Sequence, residues 1–385
     1  MPSVAIIGTR GYPSYYGGFE TAVRRLAPFL AERGWDVTVY GRPGGTKAGD
    51  PSLDTRVKSV VTAGIESRSL STLSYGLTST FDASQRRPDV ALVMNVANGF
   101  WLPMLKRADV PTLVNVDGIE WDRAKWGLLA KRVFRVGARM TAKYGSRLVY
   151  DAIEIGRRWK RDFGVEGEFI PYGGDTLSEE LPVEPGLEHR SYVLMVARFV
   201  PENSVPAFLD AAVKISAWAD VIIVGSSGYG GELDQRAAQL DAENPRVRCL
   251  GHLSDDRRLH SLWQHAGIYF HGHSVGGTNP ALVQAMACGA PVLARDTVYN
   301  REVLGSSSEF CQPDADSITE AVLRLLDDRT RLDELSTQNV QRATSDYSWE
   351  MVNSRYEAAL LQLLSSREAA IAGSTAPFAG AAKDH

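Results

Sequence analysis

Cysteine is scarce in this chain. There are three in 385 residues, Cys249, Cys288 and Cys311, odd in number and with no C-x-x-C pair among them. That argues against a disulfide framework or a zinc knuckle and for a reducing, cytoplasmic setting. Long apolar runs are missing too. No 18-residue apolar stretch exists, so no segment reads as a membrane span. The opening MPSVAIIGTRGYP lacks the basic region and long apolar core of a secretion signal. The glycine pattern of a dinucleotide fingerprint is also missing, because Gly8-Thr9-Arg10-Gly11 is not G-x-G-x-x-G and no acid follows the second strand at the ribose position. Neither sign of charge dominates: 42 Lys and Arg face 46 Asp and Glu, a net of −4.

The charge is unevenly placed. Residues 1–180 carry 25 cations and 20 anions, and residues 181–385 carry 17 and 26. Between Arg123 and Arg147 stand eight cations and no acid, so the positive half owes its sign to one segment. A general polyanion binder is excluded, and nucleic acid is not an expected partner, since no binding motif accompanies the patch.

Short unbroken apolar runs alternate with helical stretches, as expected for parallel strands covered on both faces. Strands are expected at 4–9, 36–41, 89–95, 111–117, 146–151 and 168–172. A second series follows at 192–198, 220–225, 246–251, 267–271, 291–294 and 309–312. A helix over 19–33 has Val23, Leu26, Ala27 and Leu30 on one face and Gly34 as its stop. The interruption Leu177–Arg190, rich in Glu, Pro and Gly, reads as a hinge linker. Two doubly wound α/β domains follow, and their ligands are expected beyond the carboxyl ends of the strands, in the cleft between them.

Three constellations carry chemistry. Gly8–Glu20 is a glycine-rich turn running into a helix N-terminus, a place suited to an anion or simply to a tight turn. His271-Gly272-His273-Ser274-Val275-Gly276-Gly277-Thr278-Asn279-Pro280 empties a strand into a Gly-Gly loop. Asn279 is a good N-cap, Pro280 a good first helical residue and Gly289 a good stop, so a buried helix would aim its positive end at the loop, the geometry that holds phosphate. The His-x-His pair has no further ligand at metal spacing and reads as packing at a strand end. Arg198, leaving the first strand of the second half, calls for an anionic partner, either a ligand or a neighbouring acid.

At these residues the chain resembles the retaining GT-B glycosyltransferases of family 4 and, more narrowly, their rhamnosyltransferase-like branch. The resemblance rests on GTRGYP and YGGFET, on Val116–Trp126, on Ile170-Pro171-Tyr172-Gly173, on Ala197–Asn203 and on His271–Gly289. It implies two Rossmann-like domains facing an interdomain cleft, residues 1–178 on the acceptor side and 190–346 on the nucleotide-sugar side. A helix over 347–365 would cross back to the first domain, with a disordered tail over 366–385. It implies that the diphosphate of a dTDP-, UDP- or GDP-sugar meets Arg198 and the loop Gly276, Gly277, Thr278 and Asn279, with Gly17 and Gly18 closing from above. No metal or other cofactor is expected. The family's Lys five residues after the Arg is here Asn203. Of its two glutamates around the loop, the first is Gly276 and the second, a ribose contact, is Gln284, which is neutral but still able to hydrogen-bond. Asp117 stands where many relatives place a His facing the donor sugar, and it is the expected catalytic residue beside Arg198, with Glu120 third. For Asp117 the plainer role is to cap the turn before Gly118.

Lys131, Arg135, Arg139, Lys143 and Arg147 recur every four residues, with Leu129, Val133, Val136, Met140, Tyr144 and Leu148 opposite. Like charges so spaced repel on a helix. An anionic membrane surface or a lipid-diphosphate acceptor would relieve that repulsion at Lys131, Arg132, Arg135, Arg139 and Lys143, and a solvated basic face is the alternative. The expected activity is transfer of a hexosyl unit, rhamnosyl among the options, to a polysaccharide or lipid-linked glycan precursor on the inner face of the membrane. The alternatives are a sugar-nucleotide 2-epimerase of the same fold and a non-catalytic nucleotide-sugar-binding protein.

Overall fold

The computed structural model describes residues 1–374 apart from 16, 47–48, 68–69 and 124–125, with side chains to residue 369. Two all-parallel sheets account for the strands. The first holds β1 (Ser3–Ile7), β2 (Asp36–Gly41), β3 (Lys58–Val61), β4 (Val90–Met94), β5 (Thr112–Asn115), β6 (Arg147–Tyr150) and β7 (Glu168–Phe169), in the order β3-β2-β1-β4-β5-β6-β7. The second holds β8 (Tyr192–Val196), β9 (Asp220–Val224), β10 (Val247–Gly251), β11 (Ile268–His271), β12 (Val292–Arg295) and β13 (Glu309–Cys311), in the order β10-β9-β8-β11-β12-β13. Each order reverses once, between β1 and β4 and between β8 and β11. Chain leaving neighbouring strands in opposite directions opens a crevice at their carboxyl ends, the usual ligand site of such sheets. The Gly8–Gly18 turn leaves β1, Arg198 follows β8, and the Gly-Gly loop follows β11, so the sequence's candidate loops stand at the two switch points.

Central strands are buried on both faces. Val90–Met94 and Tyr192–Leu194 are fully enclosed, and helices cover the sheets on either side. β3 is the strand the apolar pattern did not announce. It lies at a sheet edge and is largely exposed, so it needs no apolar run.

The segment Leu177–Arg190 has no regular structure, as expected of a linker, but it is lashed to the second domain. Gln264 and Ser261 of helix Asp256–His265 bond the backbone of Leu181 and Pro182 at 2.7 and 2.5 Å, and Arg258 pairs with Glu184. The Nδ1 atoms of His189 and His265 lie 2.8 Å apart, and His265 Nε2 reaches the Leu181 carbonyl. The chain crosses between the sheets just before this segment. There Gly174 bridges Ser348, its N–H donating to the Tyr347 carbonyl at 2.8 Å. Gly173 lies against the Trp349 indole, leaving no room for a Cβ.

The last helix runs Trp349–Ser374 and so extends past the expected end at 365. Its buried residues Trp349, Val352, Tyr356, Ala359, Leu360 and Leu363 belong to the core of the first sheet, to which the helix returns. Residues 366–374, expected in a disordered tail, continue it, because Ser-Arg-Glu-Ala-Ala favours helix and Arg367 is tied to the Asp89 carbonyl. The remainder of that expectation, 375–385, lies outside the described residues.

Candidate active site at the interdomain cleft

The second domain contributes the Gly-Gly loop and Arg198. Helix Pro280–Ala287 begins as its sequence dictates: the Asn279 side chain accepts from Ala281 N–H at 3.0 Å, Pro280 follows, and Gly289 ends the helix at φ +77. Gly276 takes φ +101, a conformation that side chains resist. Ser274 is fastened to the Glu202 carbonyl through both its N–H and its hydroxyl, while no bond to the protein engages the amides of Gly276 and Gly277 among the described residues. Arg198 is exposed, and no acid lies within ion-pair distance among the described residues, so the neighbouring-acid alternative finds no partner. Its backbone is held by Asn203, whose side chain donates to the Arg198 carbonyl at 3.0 Å. Asn203 thus braces the Arg198 backbone from a buried position.

Two expected donor contacts are engaged elsewhere. Thr278 donates both its N–H, at 3.0 Å, and its hydroxyl to the Asp151 carbonyl, which fastens the loop to the first domain. Gln284 takes Asp175 N–H at 3.0 Å and gives to the Asp175 carbonyl at 2.9 Å. Its amide pairs with the interdomain crossing as one peptide unit pairs with another. A carboxylate could not make the second bond, which is a physical reason for Gln at this position.

The first domain supplies Asp117, at the end of β5 and at φ +59, an uncommon conformation for a non-glycine residue. The turn is capped by Asn115, whose oxygen accepts Asp117 N–H at 2.9 Å, so Asp117 is not its own cap. Among the described residues the Asp117 carboxyl has a single 3.5 Å contact, from Asn95 Nδ2. Gly118 then meets the other domain directly, since a Cβ there would lie 3.2 Å from Gly276 Cα. Glu120 is 3% exposed and already paired, with Arg123 at 2.8 Å and with Trp126 Nε1 at 2.7 Å. It anchors the segment that carries Arg123 and is not placed as a catalytic carboxylate. Gly17 and Gly18 open helix Gly18–Glu32, where a Cβ on Gly18 would come 3.3 Å from the Tyr172 ring.

At the seam between these parts, sequence reasoning missed Asp151, while the His271–His273 pair, read as packing at a strand end, is packed there. Asp151, just past β6, is 2% exposed, and its carboxyl lies against Gly277. His273 is stacked on His271 with ring centres 4.4 Å apart, and His271 Nδ1 shares a 3.0 Å hydrogen bond with the Tyr269 hydroxyl. Burial holds both rings neutral, and His273 is pushed down to about 3, with Arg198 and Arg123 acting in the same direction. Burial raises the Asp151 carboxyl well above the usual range, with nearby Asp117 adding to it. The rule that ligands gather at the carboxyl ends of parallel strands would have found Asp151. Among the described residues no cluster of three His, Cys, Asp or Glu is placed for a metal.

The basic helix is Leu128–Tyr144, and its orientation differs from the expected one. Its packing face is Gly137, Ala138 and Thr141, set against Gly99, where only small residues allow the backbones to approach: a Cβ on Gly137 would lie 2.5 Å from the Val96 carbonyl oxygen. The larger apolar residues are left partly or wholly outside, Leu128 89% and Leu129 77% exposed. Arg147 is not on the helix at all. It opens β6 and pairs with Glu168 at 3.2 Å. Arg132, Arg135, Arg139 and Lys143 remain exposed, and Lys131 is half-buried.

Residues 17–173 match the family described as glycosyl transferase 4-like domain, and residues 178–344 match glycosyl transferases group 1. O-antigen chain mannosyltransferase B of Escherichia coli is 24% identical over 170 residues, 43% of this chain and 44% of that protein. A GDP-mannose-dependent monoacylated alpha-(1-6)-phosphatidylinositol monomannoside mannosyltransferase of Corynebacterium glutamicum is 25% identical over 52% of this chain and 58% of that protein. The chain thus spans about half the length of the curated relatives it matches. Among solved structures, sucrose-phosphate synthase from Thermosynechococcus elongatus superposes with a TM-score of 0.79 at 18% identity, over 95% of this chain and 100% of that one. The Anabaena protein HepE in complex with UDP-glucose does so at 0.73 and 15%, over 95% and 100%. Two parallel sheets with facing switch points accompany these matches, and the chain carries a glycosyl transferase 4-like domain followed by a glycosyl transferases group 1 domain on the GT-B fold.

Proposed function

We propose that the protein transfers a hexosyl unit, mannosyl or rhamnosyl, from a nucleoside-diphosphate sugar to a polysaccharide or lipid-linked glycan precursor. The reading includes retention of configuration and no metal. The observation that carries it is the unpaired, exposed Arg198 beside the open amides of Gly276 and Gly277 at the head of a buried helix. A leaving nucleoside diphosphate develops negative charge on phosphate, and fixed N–H groups, a helix end and a guanidinium stabilise it where it forms. The relative described as GDP-mannose-dependent and the neighbour solved with UDP-glucose support a nucleotide-sugar donor. Asp117, held at φ +59 at the mouth of the first sheet, is the residue best placed to meet the sugar or the acceptor.

The exposed Leu128 and Leu129, followed by Arg132, Arg135 and Arg139, support docking on an anionic membrane leaflet, where a lipid-linked acceptor would be found. The test is a binding and turnover screen against GDP-, dTDP- and UDP-sugars. A thermal shift with one class, followed by transfer that survives EDTA, is the expected result. Turnover lost in EDTA and restored by Mn²⁺ overturns the metal-free mechanism, and an epimerised nucleotide-sugar formed without acceptor overturns transfer.

A further inference from the structure

The seam between the domains contains a buried carboxyl that the glycosyl-transfer reading does not use. Asp151 reaches from the first domain into the second, its carbonyl accepting both Thr278 bonds. Its carboxyl carbon lies 2.5 Å from where a Cβ of Gly277 would stand, so only glycine admits it. Oδ1 is buried and has no hydrogen-bond partner, and no cation pairs with the group among the described residues. The groups around it are two further carboxyls, Asp117 and Glu302, the phenols of Tyr172 and Tyr356, and the guanidinium of Arg123, already paired with Glu120. Glu302 itself comes from the second domain to take Ile153 N–H at 2.7 Å, two residues after Asp151. An ionised carboxylate in this enclosure has neither a counter-ion nor full solvation, and a diphosphate on the Gly276–Gly277 amides would repel it further.

We propose that Asp151 is a donor-binding residue that reaches across the seam as a carboxylic acid, its O–H donating to the diphosphate held by the Gly-Gly loop. The inference rests on the donor reading above and deepens it: the acceptor-side domain senses the phosphate through a neutral group, so closure and donor binding share one proton. An uncharged acid serves because it donates to an anion without repelling it, the role a neutral carboxyl takes wherever its site forbids ionisation.

Two measurements test this on the full-length protein. The first needs no nucleotide and compares thermal stability of wild type and Asp151→Asn across pH. A carboxyl whose folded pKa is raised costs the folded state stability once the pH exceeds its unfolded value, so the variant gains on wild type as the pH climbs and the curves converge in acid. Parallel curves overturn the neutral acid. The second is calorimetric titration with UDP, GDP and dTDP. For the nucleotide that binds, wild-type affinity is expected to fall about tenfold per pH unit beyond the Asp151 titration. Asp151→Asn should bind with no such slope, and Asp151→Ala should bind about tenfold more weakly at every pH. A variant Asn that keeps the wild-type slope, or binds no better than Ala, overturns the contact. If no nucleotide binds wild type at any pH, the donor reading and this contact fail together, while the stability arm still reports whether the acid is neutral.

Discussion

At the scale of single residues, Arg198 decides whether the diphosphate has been placed correctly. Its turn is braced by Asn203 and its guanidinium has no acid within ion-pair distance among the described residues, so removing it costs ligand binding and little else. A charge-assisted contact is worth about 1.5–3 kcal/mol, so Arg198→Ala should weaken nucleotide-sugar binding about tenfold to a hundredfold with the melting temperature unchanged. Titration calorimetry reads both the loss and its absence. The buried histidines make a second, independent statement. His273 is held neutral by burial and by Arg198 and Arg123, with its pKa down to about 3, against an unfolded value of about 6.5. A lowered folded pKa means that unfolding takes up a proton in acid, so the stability is intact above about pH 6.5 and is lost as the pH falls toward 3. His273→Gln should show a shallower decline in melting temperature between pH 7 and pH 4 than wild type.

How much of the site the sequence could show follows from the kind of signal each residue leaves. Gly276, Asn279, Pro280 and Gly289 are local grammar for a loop feeding a helix, and the structure spells them as written. The bonds that Thr278 and Gln284 make, to Asp151 and Asp175, leave no such local signal, because they are fixed by tertiary contact, whereas Glu120 meets Arg123 and Trp126 within its own short segment. Asp151 was passed over as the last letter of a strand, although the carboxyl end of a parallel strand is where such a residue matters.

At the scale of elements, the same contrast separates strands from the basic helix. Central strands announced themselves because burial on both faces demands unbroken apolar runs, as in Val90–Met94, while the exposed edge strand Lys58–Val61 made no such demand. Helix Leu128–Tyr144 misled because the packing face was chosen by smallness and not by hydrophobicity. Gly99 and Gly137 let the backbones touch, and Leu128 and Leu129 were left outside. Gly137→Leu should therefore unfold the helix from its seat and lower the melting temperature by several degrees, as overpacking of a close contact does, at about 1–3 kcal/mol. The outward face carries a separate expectation. Each cation near an anionic leaflet contributes about 1 kcal/mol, so Arg132→Glu with Arg135→Glu should cut co-sedimentation with phosphatidylglycerol vesicles at least tenfold, and Leu128→Ser with Leu129→Ser should lower what remains in high salt. Unaltered sedimentation would remove this helix from any membrane role.

At the scale of the whole molecule, two crossings and one seam hold the domains in register. The crossing helix Trp349–Ser374 buries six apolar residues in the first sheet's core, and its Tyr356 hydroxyl accepts a hydrogen bond from Asn115 Nδ2 at 2.7 Å, two residues before Asp117. The seam is narrower: Gly118 against Gly276, Gly277 against the Asp151 carboxyl, Thr278 bonded to the Asp151 carbonyl, and Glu302 capping the helix that starts at Ile153. None of these contacts lies in either domain's own core, so breaking one should separate closure from folding. Gly277→Ala is the sharpest instrument, because its methyl group and the Asp151 carboxyl cannot occupy the same place, and Asp151 is too enclosed to swing aside. The domains of this variant should keep the wild-type melting temperature to within a degree or two, while small-angle scattering reports a larger radius of gyration and nucleotide affinity falls at least tenfold. The double variant Gly277→Ala with Asp151→Gly removes the obstacle and should restore the compact radius without restoring full affinity, since the space returns but the carboxyl does not. A Gly277→Ala protein that stays compact and binds nucleotide normally would mean that the seam seen here is not the arrangement in which the donor is held.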